Sequence, residues 1–297
     1  MNHLKINDIN NILILGAGTM GLRISLGCAL HGYQCVIYDV HPHALERAKT
    51  AQAEILERLL KSDQINPSQA ELVSSAQTFT TDASEAAKNA DLVSESVTED
   101  VLVKNQVWEQ FGQLCPEHAV FTTNTSYLLP SMFANISGRP ERFCALHFHD
   151  VFHAKVVDIM PHSSTEAWVV PLLRDFGSSI QQIPVVLEKE VPGYLFNNML
   201  MALIGSAGAL LIDGAGTIED IDRSWMGNFN TPNGPFGILD EVGLDTAWHI
   251  VRVRKDRKSR QFAELLHSYV REGNLGQKTG SGFYDYPNPR YRDQDFL

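Results

Sequence analysis

An apolar run, NILIL at 11–15, passes straight into Gly16-Ala17-Gly18-Thr19-Met20-Gly21, and no other feature of the chain restricts its fold so severely. A strand, three glycines at this spacing and then a helical pattern describe the first turn of a βαβ unit. The first glycine permits the tight turn, the second lets backbone approach a pyrophosphate, and the third lets helix and strand pack closely. The helix amino terminus adds partial positive charge for an anion. A lone glycine motif could be a mere turn. Here, however, a second strand, QCVIY at 34–38, leads to Asp39, 18 residues beyond Gly21, where an acid would accept hydrogen bonds from an adenosine ribose. That carboxylate would repel the extra phosphate of NADP, so the expected cofactor is NAD; the alternative is a surface-turn acid before His41-Pro42.

The pattern continues with DLVSESV (91–97), AVFTT (119–123), FCALHF (143–148), KVVDIM (155–160) and IPVVL (183–187) as strands, separated by helical stretches. This is the appearance of a parallel sheet covered by helices. A helical excursion occupies 43–75, with Pro67 at a helix start after Asn66. The pattern changes at Val191-Pro192-Gly193, beyond which no convincing strand is found. The expected class is therefore α/β: a Rossmann-type dinucleotide-binding domain at 1–190, followed by an all-α C-terminal domain at 191–297. In the second, the stretch 194–212 (YLFNNMLMALIGSAGALLI) is apolar on most faces and is expected to be buried, in its own domain or in a subunit interface. Thr217-Ile218-Glu219-Asp220 reads as a capping-box variant.

Composition narrows the partners. With 24 basic against 35 acidic residues, the net charge of −11 argues against nucleic-acid binding, which draws on Lys and Arg to neutralise phosphates. Small molecules are the expected partners. The basic run Arg252, Arg254, Lys255, Arg257, Lys258, Arg260 reads as a solvated helix face. The cysteines at 28, 35, 115 and 144 form no regular framework and fit free thiols in a reducing compartment. No signal-like segment or run of 18 uninterrupted apolar residues occurs, so the expectation is a cytoplasmic protein with no membrane partner.

Asn124-Thr125-Ser126 follows one strand and His147 ends another, which puts both at the carboxyl edge of the sheet, where ligands bind. Asn124-Thr125-Ser126 and Asn135-Ile136-Ser137 are also glycosylation sequons, a sense that is empty without a secretory signal. Oxidising an alcohol by hydride transfer requires a base for the hydroxyl proton, and a histidine is matched to that task. His147, His149, Asp150 and His153 could alternatively be read as a metal cluster, since strand alternation puts 147 and 149 on one face. NAD and a base suffice for the chemistry, and no metal is expected.

Seven ordered segments carry a resemblance. They are GAGTMG (16–21), ESVTEDVLVKNQVW (95–108), NTS (124–126), RFCALHF (142–148), PGYLFNNML (192–200), GPFGILDEVGLD (234–245) and GQKTGSGFYDY (276–286). In this order they resemble the L-3-hydroxyacyl-CoA dehydrogenase family, also called 3-hydroxybutyryl-CoA dehydrogenases, over nearly the whole chain. The resemblance implies NAD-dependent interconversion of an L-3-hydroxyacyl-CoA and its 3-ketoacyl-CoA, within fatty acid metabolism, and homodimerisation through the helical domain. It implies that His147 is the general base in oxidation and the acid in reduction, oriented by a carboxylate for which Asp158 is the matching position. Ser126 and Asn197 would hydrogen-bond the substrate's oxygens. Cofactor contacts would come from Gly16, Gly18, Thr19, Met20, Gly21, Asp39, Glu99, Lys104, Asn124 and Lys278.

Two departures lie beside the histidine. Family members continue as HFFNP, whereas this chain reads His147-Phe148-His149-Asp150-Val151 and reaches the carboxylate one residue sooner. Asp158 is also one methylene shorter than the family's glutamate, so backbone movement is expected if it is to reach His147; Asp150 is the other candidate. For coenzyme A, the helical excursion offers Arg47, Lys49, Arg58 and Lys61, which could equally be paired surface charges. Two alternatives stand beside the main reading. One keeps the chemistry on a free 3-hydroxy acid or carnitine-like alcohol; the other is a catalytically silent NAD-binding structural or regulatory protein.

Overall fold

The computed structural model describes residues 3–297, which divide into two compact units, one ending at Leu195 and the other spanning Phe196–Leu297. The first contains β1 (Asn11–Leu15), α1 (Thr19–Leu30), β2 (Gln34–Tyr38), α2 (Pro42–Lys61), α3 (Pro67–Ala76), β3 (Gln77–Thr80), α4 (Ala83–Ala87) and β4 (Leu92–Glu95). It continues with α5 (Val101–Leu114), β5 (Val120–Thr123), β6 (Phe143–Phe148), β7 (Val156–Pro161), α6 (Val169–Ser179) and β8 (Ile183–Val186).

Alternation along β1 explains how this unit is layered. Ile12 and Ile14 enter a core formed with α1, α2, α3 and α6, while Leu13 and Leu15 enter a second core with Ala86, Ala87, Trp108 and Phe111 of α4 and α5. A strand covered on both faces must be apolar on both, which is why NILIL is unbroken. The order is β3-β2-β1-β4-β5-β6-β7-β8, and every pair is parallel except β6 with β7. The sequence pattern predicts a parallel sheet throughout. The linker 149–155 is too short for a parallel crossover, which takes a dozen or more residues, so β7 folds back as a hairpin partner of β6. β3 is the other element not predicted: it begins directly after α3 with no turn residue between, and its QTFT sequence has little apolar signal.

The excursion at 43–75 is two helices. Asn66 closes a reciprocal capping box with Gln69 and Pro67 occupies the first turn of α3.

The second unit contains α7 (Tyr194–Ile212, whose first two residues belong to the first unit), α8 (Ile218–Phe229), α9 (Pro235–Val242), α10 (Leu244–Val251) and α11 (Arg257–Glu272). Its core joins Ile204, Ala207, Met226, Phe236, Leu239, Phe262 and Leu266. Thr217 caps α8 in reciprocal hydrogen bonds with Asp220. Within that core, Asp240 accepts from the backbone N–H of Phe283 and Tyr284 and from the Tyr286 hydroxyl, and Asp222 accepts from the N–H of Phe236 and Gly237 and from the Tyr284 hydroxyl.

One expectation is corrected here, and for α7 the own-domain alternative is set aside. The basic run does not form one helix face: Arg252, Arg254 and Lys255 lie in the turn before α11 and only Arg257, Lys258 and Arg260 are helical, although all six are exposed. Helix α7 is not buried within the single chain. It is long and apolar enough to cross a membrane, yet only 22% of its most apolar window is buried. Met199 and Leu210 are exposed on it, as is Phe229 at the end of α8.

Candidate active site

The parallel strands β1, β2, β4, β5 and β6 deliver their carboxyl ends to one edge, and the backbone continues the ladder past them. Gly16 N–H donates to Tyr38 O, Ser96 N–H to Leu15 O and Asn124 N–H to Glu95 O, each at 2.8 Å. At the turn after β1, Gly16 has φ +100°, which favours glycine, and a Cβ on it would lie 2.8 Å from Ser96 O. A Cβ on Gly21 would lie 1.9 Å from Gly16 O, so no larger residue fits where α1 leaves the loop. Gly18 meets nothing within 4 Å and stands at the amino end of α1, open to an approaching group.

These residues open onto a groove of about 840 Å³ lined by Gly16, Ala17, Gly18, Thr19, Asp39, Val40, Ser96 and Gln106, among others. Met20 follows Thr19 in the first turn of α1. Asp39 takes the N–H of Ala17 on one oxygen and that of His41 on the other, both at 2.9 Å, and so ties the glycine loop to the end of β2. The missing-Cβ cradle, the free helix amino terminus and the acid at the end of the neighbouring strand suit a dinucleotide with its pyrophosphate over Gly16–Thr19.

Beside the groove, a buried ion pair shapes the loop after β5. Lys104, 1% exposed, extends from the first turn of α5 and donates to Glu95 at 2.6 Å, with Glu99 at 3.3 Å. Glu95 also accepts from Thr123 Oγ1 at 2.7 Å and from Val97 N–H at 2.9 Å. Glu99 Oε1 then accepts from the Thr125 hydroxyl and from the N–H of Ser126 (3.0 Å) and Tyr127 (3.1 Å). Burial works against ionisation of Glu99, but the Thr125 hydrogen bond and Lys104 outweigh it and hold its pKa below the usual carboxylate range. In this structure Lys104 is an internal strut: its ammonium is enclosed by two carboxylates. Asn124 likewise spends its Oδ1 on Phe148 N–H at 2.7 Å, bracing the end of β6. Lys278 pairs with Asp245 inside the second unit, at 2.6 and 2.7 Å.

On β6, His147 is 4% exposed and held on three sides. Its Nε2 lies 3.2 Å from Ser126 Oγ and its Nδ1 3.2 Å from Asp158 Oδ2. The Tyr194 ring stacks on the imidazole at 4.4 Å with an interplanar angle of 11°, and the Tyr194 hydroxyl donates to Thr125 O at 2.8 Å. His147 and Asp158 are direct cross-strand partners in the antiparallel register. The backbone movement expected of a shorter acid is unnecessary, because the hairpin already places the two residues opposite each other. Asp150 is engaged elsewhere, in an ion pair with Arg23 of α1 and as acceptor for Phe152 N–H and His153 N–H.

His149, directly after the last residue of β6, places its Nε2 2.7 Å from the same Asp158 oxygen. Among the described residues, His147, His149 and Asp158 form a group with ligand-type atoms within 4.8 Å of one another. The 2.7 Å contact is that of a charge-assisted hydrogen bond. Burial lowers the His147 pKa against the raising effect of Asp158, so the imidazole rests neutral. For Asp158, burial opposes ionisation, but the hydrogen bonds from His147 and His149 prevail and its pKa is lowered.

Asn197 lies near the start of α7, in the second unit. Glu95, Tyr194 and His149 are site residues that sequence reasoning missed as such. The first two stand within ESVTED and PGYLFNNML, and the third was visible as a candidate metal ligand and as a departure from the family pattern, not as a partner of Asp158.

Residues 11–191 match the model of the 3-hydroxyacyl-CoA dehydrogenase NAD-binding domain, and residues 193–286 that of the C-terminal domain of the same family. The human mitochondrial hydroxyacyl-coenzyme A dehydrogenase is 31% identical over 94% of this chain and 91% of its own length. A probable 3-hydroxybutyryl-CoA dehydrogenase of Bacillus subtilis is 31% identical over 94% and 98%. Among solved structures, a diketoreductase reported for dual catalysis of dicarbonyl compounds is 34% identical with a TM-score of 0.90, covering 96% of this chain and all of its own. The (S)-3-hydroxybutyryl-CoA dehydrogenase of Ralstonia eutropha is 27% identical with a TM-score of 0.82, over 94% and 100%. The glycine cradle, the matched domains and these relatives together make the chain an NAD-dependent oxidoreductase and a member of the 3-hydroxyacyl-CoA dehydrogenase family.

Proposed function

We propose that the protein interconverts an L-3-hydroxyacyl-CoA and the corresponding 3-ketoacyl-CoA, with His147 as the residue that moves the hydroxyl proton. The observation that carries this is an imidazole held between Ser126 and Asp158 at the carboxyl edge of the sheet, beside the glycine cradle. Gly16–Thr19 and Asp39 would hold NAD, which would supply the hydride acceptor for C3 of the substrate.

The protein's own part is acid–base chemistry and positioning. The Asp158 carboxylate accepts from Nδ1–H, which fixes the tautomer with Nε2 as the acceptor. Nε2 takes the hydroxyl proton in oxidation and returns it in reduction, and Asp158 stabilises the imidazolium in between. Ser126 Oγ, beside Nε2, marks where the substrate oxygen sits and hydrogen-bonds it there. Asn197, carried by PGYLFNNML, is assigned the other substrate hydrogen bond from the family resemblance. Tyr194 keeps the ring from turning over. Acetoacetyl-CoA-dependent oxidation of NADH, followed by absorbance, tests the proposal; NADH binding without turnover on acetoacetyl-CoA or other 3-ketoacyl-CoA substrates would overturn it.

A second reading replaces the acyl-CoA with a free dicarbonyl or 3-hydroxy acid. It is favoured by the cations of α2: Lys49 pairs with Glu46 at 2.8 Å and Lys61 with Glu57 at 2.6 Å, which removes half of the four offered to coenzyme A phosphates. The similarity to a diketoreductase supports it as well. Comparing kcat/KM for acetoacetyl-CoA and for simple acetoacetate esters decides between them.

We also propose that a second copy of the chain covers α7. Met199 is exposed on α7, and the exposed Leu210 and Phe229 accompany polar Ser206, Asp220, Ser224 and Asn228 around a 570 Å³ groove between α7 and α8, a mixture suited to a protein partner and costly in lipid. Sedimentation of wild type and L210E distinguishes dimer from monomer.

A further inference from the structure

The carboxylate that orients His147 is itself held by a second imidazole. Asp158 Oδ2 stands 3.2 Å from His147 Nδ1 but only 2.7 Å from His149 Nε2, so the tighter of its two bonds is to the histidine that does not touch Ser126. The geometry has a simple origin. His147 lies within β6 and His149 directly follows the strand's last residue, both rings reach the same Asp158 oxygen, and Asp158 faces His147 across the hairpin. A short side chain in that position sits between the two rings, which pack edge to face at 4.6 Å.

We infer that His149 is a positioning residue: it clamps Asp158 so that the shared oxygen faces His147 Nδ1 in one orientation, and the pair works as a His–Asp–His unit of which only the first histidine exchanges a proton with substrate. This rests on the proposed role of His147 and Asp158. Because Asp158 is acceptor to both rings, His149 is fixed with its proton on Nε2, complementary to the Nδ1–H of His147. The Asp150–Arg23 ion pair and the seating of Val151 over Gly27, 2.5 Å from where a Cβ would stand, pin the residues that follow His149 onto α1. The clamp is thus anchored to the nucleotide-binding helix as well as to the sheet.

His149→Phe tests this, since it keeps the ring against His147 and removes only the donor. Turnover is expected to fall about tenfold with NADH affinity unchanged. The acidic limb of kcat/KM for oxidation should move upward by roughly half a pH unit, because Asp158 then accepts from His147 alone. The other groups facing His147, namely Glu99, Ser126 and the Tyr194 ring, are left in place by the substitution. His149→Gln, whose Nε2 can donate from a similar reach, should recover most of the rate. Asp158→Glu added to His149→Phe should do so too, because one more methylene lets the acid approach Nδ1 without the clamp.

If His149→Phe retains full turnover and an unshifted profile while Asp158→Ala loses activity, the clamp is refuted and the catalytic pair stands. If Asp158→Ala and His147→Ala are both fully active, the underlying reading fails instead. Should His149→Phe lose NADH binding through misfolding, His149→Gln decides: a tenfold loss with intact NADH binding refutes rescue by a donor, and recovery supports it.

Discussion

Each unit buries aspartates almost completely, and they behave in opposite ways. Asp158 in the first unit is 1% exposed and is held by two imidazoles; Asp240 in the second is also 1% exposed and is held by two backbone N–H groups and a tyrosine hydroxyl. The Asp158 pKa is lowered despite burial, whereas burial pushes that of Asp240 up to about 6 against its three hydrogen bonds. The difference lies in the donors. Imidazoles can take on a proton and the charge that goes with it, so a carboxylate beside them stabilises a chemical change. Backbone amides cannot, and Asp240 serves to hold the segment Phe283–Tyr286 against α9. A Cβ on Gly282 would fall 2.1 Å from its carboxylate, so that segment is built around the acid. A buried acid is therefore no sign of a site until its partners are named.

The strongest way to break this comparison is to remove the proton acceptor. His147→Gln should lower kcat by about 10²–10⁴-fold with NADH affinity nearly unchanged, as expected for loss of a general base. Single-turnover kinetics with titrated NADH binding would measure both; a loss below tenfold would mean that another group moves the proton. Asp158→Asn comes next. An amide keeps the packing but can turn its N–H toward Nδ1, which favours the wrong tautomer, and it cannot stabilise the imidazolium, so a loss approaching about 10⁴-fold in kcat is expected, with little change in melting temperature. In Asp240→Asn the order reverses. Turnover per folded molecule should hold, while a donor turned toward donors costs about 1–3 kcal/mol of stability, read by denaturant unfolding. If Asp240→Asn lowered kcat as Asp158→Asn does, the two acids would not differ in kind.

How far these roles were legible in the sequence follows the same division. The glycine turn was legible because its residues are dictated by backbone sterics alone: a positive φ at Gly16 and a 1.9 Å clearance at Gly21 admit nothing else. His147 and Ser126 were legible from their places at strand ends. The reach of Asp158 was not, since it depends on β7 running antiparallel, which is set by the length of the linker 149–155 and not by any one residue type. The pairing of Lys104 was not legible for a related reason: its enclosure by Glu95 and Glu99 depends on how the loops after β4 and β5 come together, not on the residue type. The exposure of α7 was invisible as well, because an apolar helix reads the same whether its cover is the same chain or another.

The smallest predicted effect is the dependence of stability on pH, and its sign should differ between the units. The His147 pKa is lowered in the folded protein, so the unfolded chain takes up that proton first; as pH falls below about 6.5, the first unit loses stability through this residue. Asp158 adds a loss only below its ordinary value of 3.8, since its folded pKa is lower still. Asp240 runs the other way. Its folded pKa, about 6, exceeds the unfolded 3.8, so its contribution is complete below 3.8 and is lost as pH rises through 6, by no more than about 3 kcal/mol. Calorimetric melts between pH 4 and 7 separate the two. On acidification wild type should lose ground relative to His147→Gln and gain ground relative to Asp240→Asn. Differences of the same sign would mean that donors of fixed charge and donors that titrate do not divide the two carboxylates, and that burial alone governs both.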